Sequence, residues 1–279
     1  MLEYKICGPI LDDGIPLHIA INALNTFHSV IDKTYLVGTN SKKLTAKDRE
    51  IFQLRASSIS RGSLLTKFEI IVSGFQFVLP YIGTIGPDNI WEFTKNTFDF
   101  LKVVCGAIQK GEKPTYEFQN DGDAYVHTGD KHFHFHDQVI QIGKLALPSY
   151  QDLAHLIEPK KINQISAGKC DEATPDIYLG KDDKNIFDIP TRIEKETILL
   201  KCEIFDFNKY KNIGKLSVSI DNQQVPIGEY RFAIFGSQDN VNYIYSMLKN
   251  EVDLYCLVEM ESNPFGEDTV HKLHVTGVK

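Results

Sequence analysis

Four of the nine histidines in this chain fall within Asp123-Ala-Tyr-Val-His-Thr-Gly-Asp-Lys-His-Phe-His-Phe-His136. Neutral imidazole is the commonest protein ligand for zinc and related ions, so the first chemistry to consider here is metal binding. The Gly129-Asp130 pair lies between two alternating runs and signals a two-residue hairpin, glycine first as a type II′ turn prefers. Such a turn sets Thr128 against Lys131, His127 against His132, Tyr125 against His134 and Asp123 against His136. One face then carries Asp123, Tyr125 and the four histidines, and the other carries Ala124, Val126, Phe133 and Phe135.

Strand geometry limits which of these could share an ion. Residues two apart on a strand are roughly 6.5–7 Å apart and residues four apart roughly 13 Å, so His132 and His136 cannot both reach one metal. Two sets remain: His127, His132 and His134, or Asp123, His134 and His136. A catalytic metal needs about three protein ligands and an open position. The first set, with Asp123 or Asp137 as further ligand or base, would suit a hydrolase or nuclease using a divalent transition metal. Two plainer readings compete with it. The face could be the wet side of an antiparallel sheet whose phenylalanines pack inward, or a cluster that charges below about pH 6.5 and repels itself.

Other catalytic signatures are missing from the sequence. It contains no Walker loop, Gly-x-Gly-x-x-Gly, Gly-x-Ser-x-Gly, His-Glu-x-x-His or kinase loop. Ser60-Arg-Gly-Ser63 comes nearest to a phosphate loop, but it joins two strands and opens no helix, so it reads as a hairpin turn. The five cysteines (Cys7, Cys105, Cys170, Cys202, Cys256) are odd in number and widely spaced. They are expected to be reduced thiols of a cytoplasmic protein. Nothing local activates Cys170 as a nucleophile.

The chain has 279 residues, 42% hydrophobic and 24% charged, with a formal charge of −7. Those proportions are globular, and the acidic balance argues against indiscriminate binding to phosphate backbones or anionic membranes. The opening Met-Leu-Glu-Tyr-Lys-Ile lacks the basic-then-apolar order of a signal peptide. Ile70 to Gly86 is uncharged and just long enough to span a bilayer. Its three glycines and Pro80 favour a buried strand leading into an apolar loop, and no membrane insertion is expected.

These residues must be positioned by an α+β framework, read in three regions: 1–114, 115–193 and 194–279. Leu2 to Gly8 alternates as a strand. Gly14-Ile-Pro16 then opens a long helix in which Leu17, Ile21, Leu24, Phe27 or His28, Ile31 and Tyr35 form a stripe to be buried. His18 and His28 on this helix are not ligand candidates. A polar loop, Thr39 to Asp48, leads to strands at Ile51 to Ser60 and Ser63 to Val72, completing a β-α-β-β unit. A second long helix is capped by Asp88 or Asn89 and stopped by Gly111 and Pro114. It is apolar on both faces, with Trp91, Phe100 and Val103 opposite the main stripe. Either the rest of the chain covers it twice or it is an oligomerisation helix. Residues 115–142 read as a β-meander, with Asn120-Asp-Gly122 as a turn and Val139 to Ile142 as its last strand. Ser149 then caps a short helix, and Pro190 to Glu196 is the clearest boundary.

The order of elements after Thr197 is strand, strand, strand, helix, strand, strand, which is that of a small OB-like β-barrel. Such barrels often bind oligonucleotides. From Glu196 onward, however, twelve acidic residues face eight basic ones, a net of −4, which disfavours a nucleic-acid or nucleotide platform. His271 and His274, three apart on the last strand, are expected on opposite faces.

With these elements placed, the chain resembles a family of uncharacterised prokaryotic proteins often found among mobile-element and defence genes. The resemblance is carried by the opening strand with Gly14-Ile-Pro-Leu17 and its helix, and by the Arg-x-x-x-Ile-x-x-Gly-Ser-Leu pattern of Arg55 to Leu64. The Asn-Asp-Gly-Asp turn at 120–123 and the barrel strand Val252-Asp-Leu-Tyr-Cys-Leu-Val258 complete it. It implies no catalytic residue, and histidines in the central hairpin are not a family feature. The expectation is therefore a non-enzymatic cytoplasmic protein that contacts itself or another protein, as a homo-oligomer or scaffold in phage–host conflict.

Overall fold

The computed structural model describes residues 1–12, 14, 16–60, 64–73, 78–79, 83–84, 86–119 and 122–279. The Arg61-Gly62 turn, the Asn120-Asp121 pair and most of the loop within Ile70 to Gly86 lie outside the described residues. No helix among the described residues is long and apolar enough to cross a membrane. The chain divides into two compact units, Met1–Asp188 and Ile189–Lys279.

The first unit opens with β1 (Leu2–Cys7), whose Leu2, Tyr4 and Ile6 point into the core while Glu3 and Lys5 do not. Helix α1 (Leu17–Gly38) buries Ala23, Phe27, Val30, Ile31 and Tyr35. Its first turns depart from the expected stripe, since Leu17 is 73% and Ile21 49% exposed. From the end of the expected polar loop to the first residue of the expected strand the chain forms a short helix, α2 (Ala46–Ile51). The Thr45 hydroxyl accepts from the Asp48 N–H, and the Asp48 carboxylate accepts from the Thr45 N–H. That reciprocal pair satisfies two backbone donors that would otherwise be orphaned. Strands β2 (Phe52–Ser60) and β3 (Leu64–Val72) follow, then the two-residue strands β4 (Val78–Leu79) and β5 (Gly83–Thr84).

Helix α3 (Pro87–Gln109) starts with proline in its first turn, and the Asn89 side chain accepts from the Gly86 N–H. Both of its apolar faces are covered from within the chain. Trp91, Phe98, Phe100 and Leu101 are at most 2% exposed. Of the residues expected opposite the main stripe, Trp91 has its ring 6.5 Å from that of Phe27 on α1, Phe100 has its ring 5.3 Å from that of Phe135, and Val103 is half-buried.

Strands β6 (Thr115–Phe118), β7 (Asp123–Thr128) and β8 (Lys131–His136) form the expected meander. The chain then departs from expectation, because 137–155 is one helix, α4 (Asp137–His155), instead of a strand and a separate short helix. Its buried positions Val139, Ile140, Ile142, Gly143, Ala146, Leu147, Tyr150, Leu153 and Ala154 recur at spacings of three and four around one face. Ser149 sits inside it, hydrogen-bonded to Ser29 at 2.8 Å. The helix packs on α1 and α3 and supplies the coverage of α3 that the sequence left without a source. Strands β9 (Gln164–Lys169) and β10 (Ile177–Leu179) complete an antiparallel sheet in the order β10-β9-β1-β3-β2.

The second unit begins with β11 (Thr191–Ile193). It continues through β12 (Ile198–Asn208), β13 (Ile213–Val218), β14 (Gly228–Ile234), α5 (Asn240–Ser246), β15 (Val252–Glu261) and β16 (Thr269–Val278). Pairing runs β12-β13-β14-β16-β15 and closes through β15 with β12, with only β14 and β16 parallel. This is a closed five-stranded OB-like barrel, with β11 added outside β15. Its interior is filled by alternate residues such as Leu200, Cys202, Leu216, Phe232, Leu254 and Val275. Fully burying one such aliphatic or aromatic side chain contributes roughly 1.5–3 kcal/mol. Gly214 is required where the barrel bends: a Cβ there would lie 2.2 Å from the Asp206 carbonyl oxygen and 2.6 Å from the Phe232 ring.

Candidate functional site

The histidine hairpin has the register its turn dictates: Asp123 opposite His136, Tyr125 opposite His134, His127 opposite His132 and Thr128 opposite Lys131. Gly129 has φ +54°, and Asp130 is not among the positive-φ residues, as a type II′ turn requires. Ala124 and Val126 are fully buried on the inner face. The outer face breaks into pairs. His127 Nδ1 lies 2.5 Å from His132 Nδ1, with Glu117 3.8 Å from His127 Nε2. His134 turns instead to Asp123, at 3.0 Å.

His136 is drawn away from both. Its Nδ1 sits 3.3 Å from the Gln138 N–H, at the start of α4, and 3.0 Å from Asp137 Oδ1. The two contacts demand opposite protonation of that nitrogen: bare, it accepts from the helix N-terminus; protonated, it donates to Asp137. The first proposed ligand set is therefore split between His127 with His132 and His134 with Asp123, and the second loses His136 to the helix cap. Among the described residues, no group of three or more His, Cys, Asp or Glu side chains converges as a metal ion would need.

The three buried thiols, Cys105, Cys202 and Cys256, offer little nucleophilic chemistry. Burial pushes Cys105 and Cys202 up to about 12 and Cys256 upward as well, so at neutral pH they stay protonated.

The barrel brings together groups that the linear sequence scattered. A bulge in the β15–β16 ladder pairs Glu259 with Lys272 and Met260 with Val270, which leaves His271 as the extra residue. The strict alternation that would send His271 and His274 to opposite faces fails there. His271 reaches Glu261 at 3.0 Å and His274 reaches Glu259 at 2.7 Å, and these carboxylates are two apart on β15. Burial acts to raise the Glu259 carboxyl, but hydrogen bonds from His274, Thr191 and Lys272 overcome it and hold the group down at about 2.

Beside this network lies a groove of about 870 Å³, lined by Asp206, Lys211, Lys215, Glu229, Arg231 and Lys272 among others. A second hollow of about 590 Å³ adjoins it, and both are lined by Tyr230, Thr269 and Val270. Composition had shown no basic patch here, because Lys215 and Arg231 are sixteen positions apart. Their pairing across β13 and β14 is what joins them.

Comparison of the chain with family models, with curated proteins and with solved structures gives no match.

Proposed function

We propose that this protein works without catalysis, by contacting a second copy of itself or another protein through the outer surface of the barrel. The observation that carries this reading is the distribution of exposed apolar side chains. Of the twenty exposed large hydrophobic residues among the described ones, fourteen belong to the second unit, which holds only about a third of the chain. Single exposed apolar residues are ordinary, but clusters of them mark interaction surfaces.

Two clusters stand out. Leu199 (42% exposed) and Tyr255 (41%) face each other across β12 and β15 on the outside of the barrel. Around α5, Val241, Ile244, Tyr245 and Leu248 are exposed while Tyr243 and Ser246 are buried and hold the helix against the barrel. The helix α3, by contrast, gives no support to an oligomer, since its second apolar face is covered by the meander and α4.

Light scattering across a range of micromolar concentrations tests self-association. The expected result is a dimer or larger assembly that Leu199→Ser with Tyr255→Ser, or Leu248→Ser with Ile244→Ser, dissociates. A strict monomer that also captures no partner from its own host's lysate would sink the proposal. The role in phage–host conflict rests on the family resemblance alone. Unchanged phage plaque counts after deletion of the gene would remove it.

A further inference from the structure

We propose that the barrel groove is a binding site for nucleotide units, with a phosphate held between Lys215 and Arg231 and a base stacked on Tyr210. This goes beyond the protein-contact reading and uses different residues.

The groove exists because one ladder is incomplete. β14 and β16 pair only over Phe232–Ile234 and Leu273–Val275, so Gly228–Arg231 and Thr269–Lys272 are not bonded to each other. The volume between them, about 870 Å³, lies within the usual range for small-molecule sites.

Its charge runs against that of the unit around it. Residues 189–279 carry ten basic and thirteen acidic side chains, a net of −3. The groove is lined by four basic residues, Lys211, Lys215, Arg231 and Lys272, and three acidic ones, Asp206, Glu229 and Glu261, a net of +1. Glu261 is also engaged by His271, and Lys272 by Glu259. Among the described residues Lys211, Lys215 and Arg231 have no ion-pair partner within 4.0 Å.

The register sharpens the argument. Lys215 has Asp206 opposite it on β12 and Arg231 opposite it on β14, and like charges opposed as Lys215 and Arg231 are destabilise a sheet. An anion placed between them turns that repulsion into attraction, and a phosphodiester matches the fork of the guanidinium. The groove is also amphipathic, with Ile213, Tyr230 and Val270 in its lining. Tyr210, 88% exposed, directly precedes the lining residue Lys211, and the Lys209 ammonium lies 5.1 Å from its ring centroid. Tyr210 is outside the lining itself, and an exposed aromatic one residue from a cationic groove is placed to stack a base whose phosphate enters the groove.

Fluorescence anisotropy with labelled single-stranded DNA and RNA of about 12 nucleotides, at low ionic strength, tests this on the full chain. Competition with a free mononucleotide separates the two sources of the same chemistry. Displacement by mononucleotide at a concentration similar to that of the strand assigns a nucleotide site, and displacement only by strand assigns a single-strand site. Tyr210→Ala should weaken binding roughly 5- to 100-fold. Lys215→Gln with Arg231→Gln should weaken it further and make its logarithmic salt dependence shallower by about 0.7 for each phosphate no longer neutralised. Both variants should keep the wild-type melting temperature or exceed it, because they remove a repulsive pair or an exposed ring. No binding of strand or mononucleotide at low salt, or binding that these substitutions leave unchanged, overturns the proposal. Leu199→Ser with Tyr255→Ser should not affect it, so its failure and that of the protein-contact reading are separable.

Discussion

Phe100 on α3 lies against the backbone of Gly143 on α4, so closely that a Cβ on residue 143 would stand 2.7 Å from the ring. The ring has no room to retreat, since Phe100 is fully buried and lies 5.3 Å from the Phe135 ring. Gly143→Ala should gain up to about 1 kcal/mol of helix propensity and lose about 1–3 kcal/mol to overpacking. The net expectation is destabilisation of the first unit, read by urea unfolding. Trp91, the single tryptophan, supplies a fluorescence signal from that unit alone. Combining the change with Phe100→Leu should recover part of the stability. Equal effects of Gly143→Ala in the two backgrounds would show that the contact is not the cause.

The same tryptophan rests on a half-buried carboxylate. Its Nε1–H donates to Asp176 Oδ2 at 2.7 Å, and Lys95 lies 3.6 Å from the other carboxylate oxygen. The bond ties α3 to the segment just before β10. Asp176→Ala leaves the indole N–H without an acceptor in a site that is 1% exposed, a change expected to cost about 1.5–3 kcal/mol. Asp176→Asn keeps an acceptor and should cost less. The check is the same urea curve together with the Trp91 emission maximum, which stays blue for both variants if only the hydrogen bond is removed.

How far the sequence spoke for the fold depended on whether its signals were local. The hairpin register followed from Gly129-Asp130 and strict alternation, and the barrel followed from element order, since neither needs a distant residue. Helix α4 was hidden because Gly143 and Pro148 both argue locally against a helix. What overrides them is packing against Phe100 and α1, which no window of sequence contains. The capping box at Thr45 and Asp48 was legible in type and spacing, though the surrounding charges suggested a loop. At the candidate site the limits were similar. The face of each histidine could be read, but not that His136 would be taken by the α4 N-terminus. The groove depends on a cross-strand pair and on a ladder that stops short, and both are tertiary facts.

Glu259 makes the acid stability of the barrel predictable in sign. Its folded-state value of about 2 lies below its ordinary 4.5, so its contribution is fully present above about pH 4.5. It is lost as the pH falls toward 2. The groups facing it are His274, Lys272 and Thr191. The protection of the β15 and β16 amides against hydrogen exchange, taken relative to the intrinsic rate at each pH, should therefore fall between pH 4.5 and 2. Glu259→Gln should be less stable than wild type at neutral pH and show a shallower dependence across that window. Parallel pH profiles for the two proteins would rule out this carboxylate as the source.

Metal addition gives a sharp test of the hairpin. In the structure the histidines pair two by two, His127 with His132 and His134 with Asp123. A structural or catalytic zinc needs three or four ligands, and residues that must be repacked to reach it reduce the affinity by the cost of the contacts they leave. Protein purified without a histidine tag should therefore contain no stoichiometric transition metal. Its melting temperature should move little on addition of zinc, manganese or nickel, because ligand binding raises stability only as the logarithm of concentration over Kd. His132→Gln and His134→Gln should behave as wild type in that assay. A rise of several degrees with one metal that both substitutions abolish would instead establish the His127, His132 and His134 set as a site, with the rings rotating from their present partners to form it. A rise abolished by His134→Gln and by His136→Gln but not by His132→Gln would point to Asp123, His134 and His136, and would mean that His136 gives up its place at the start of α4.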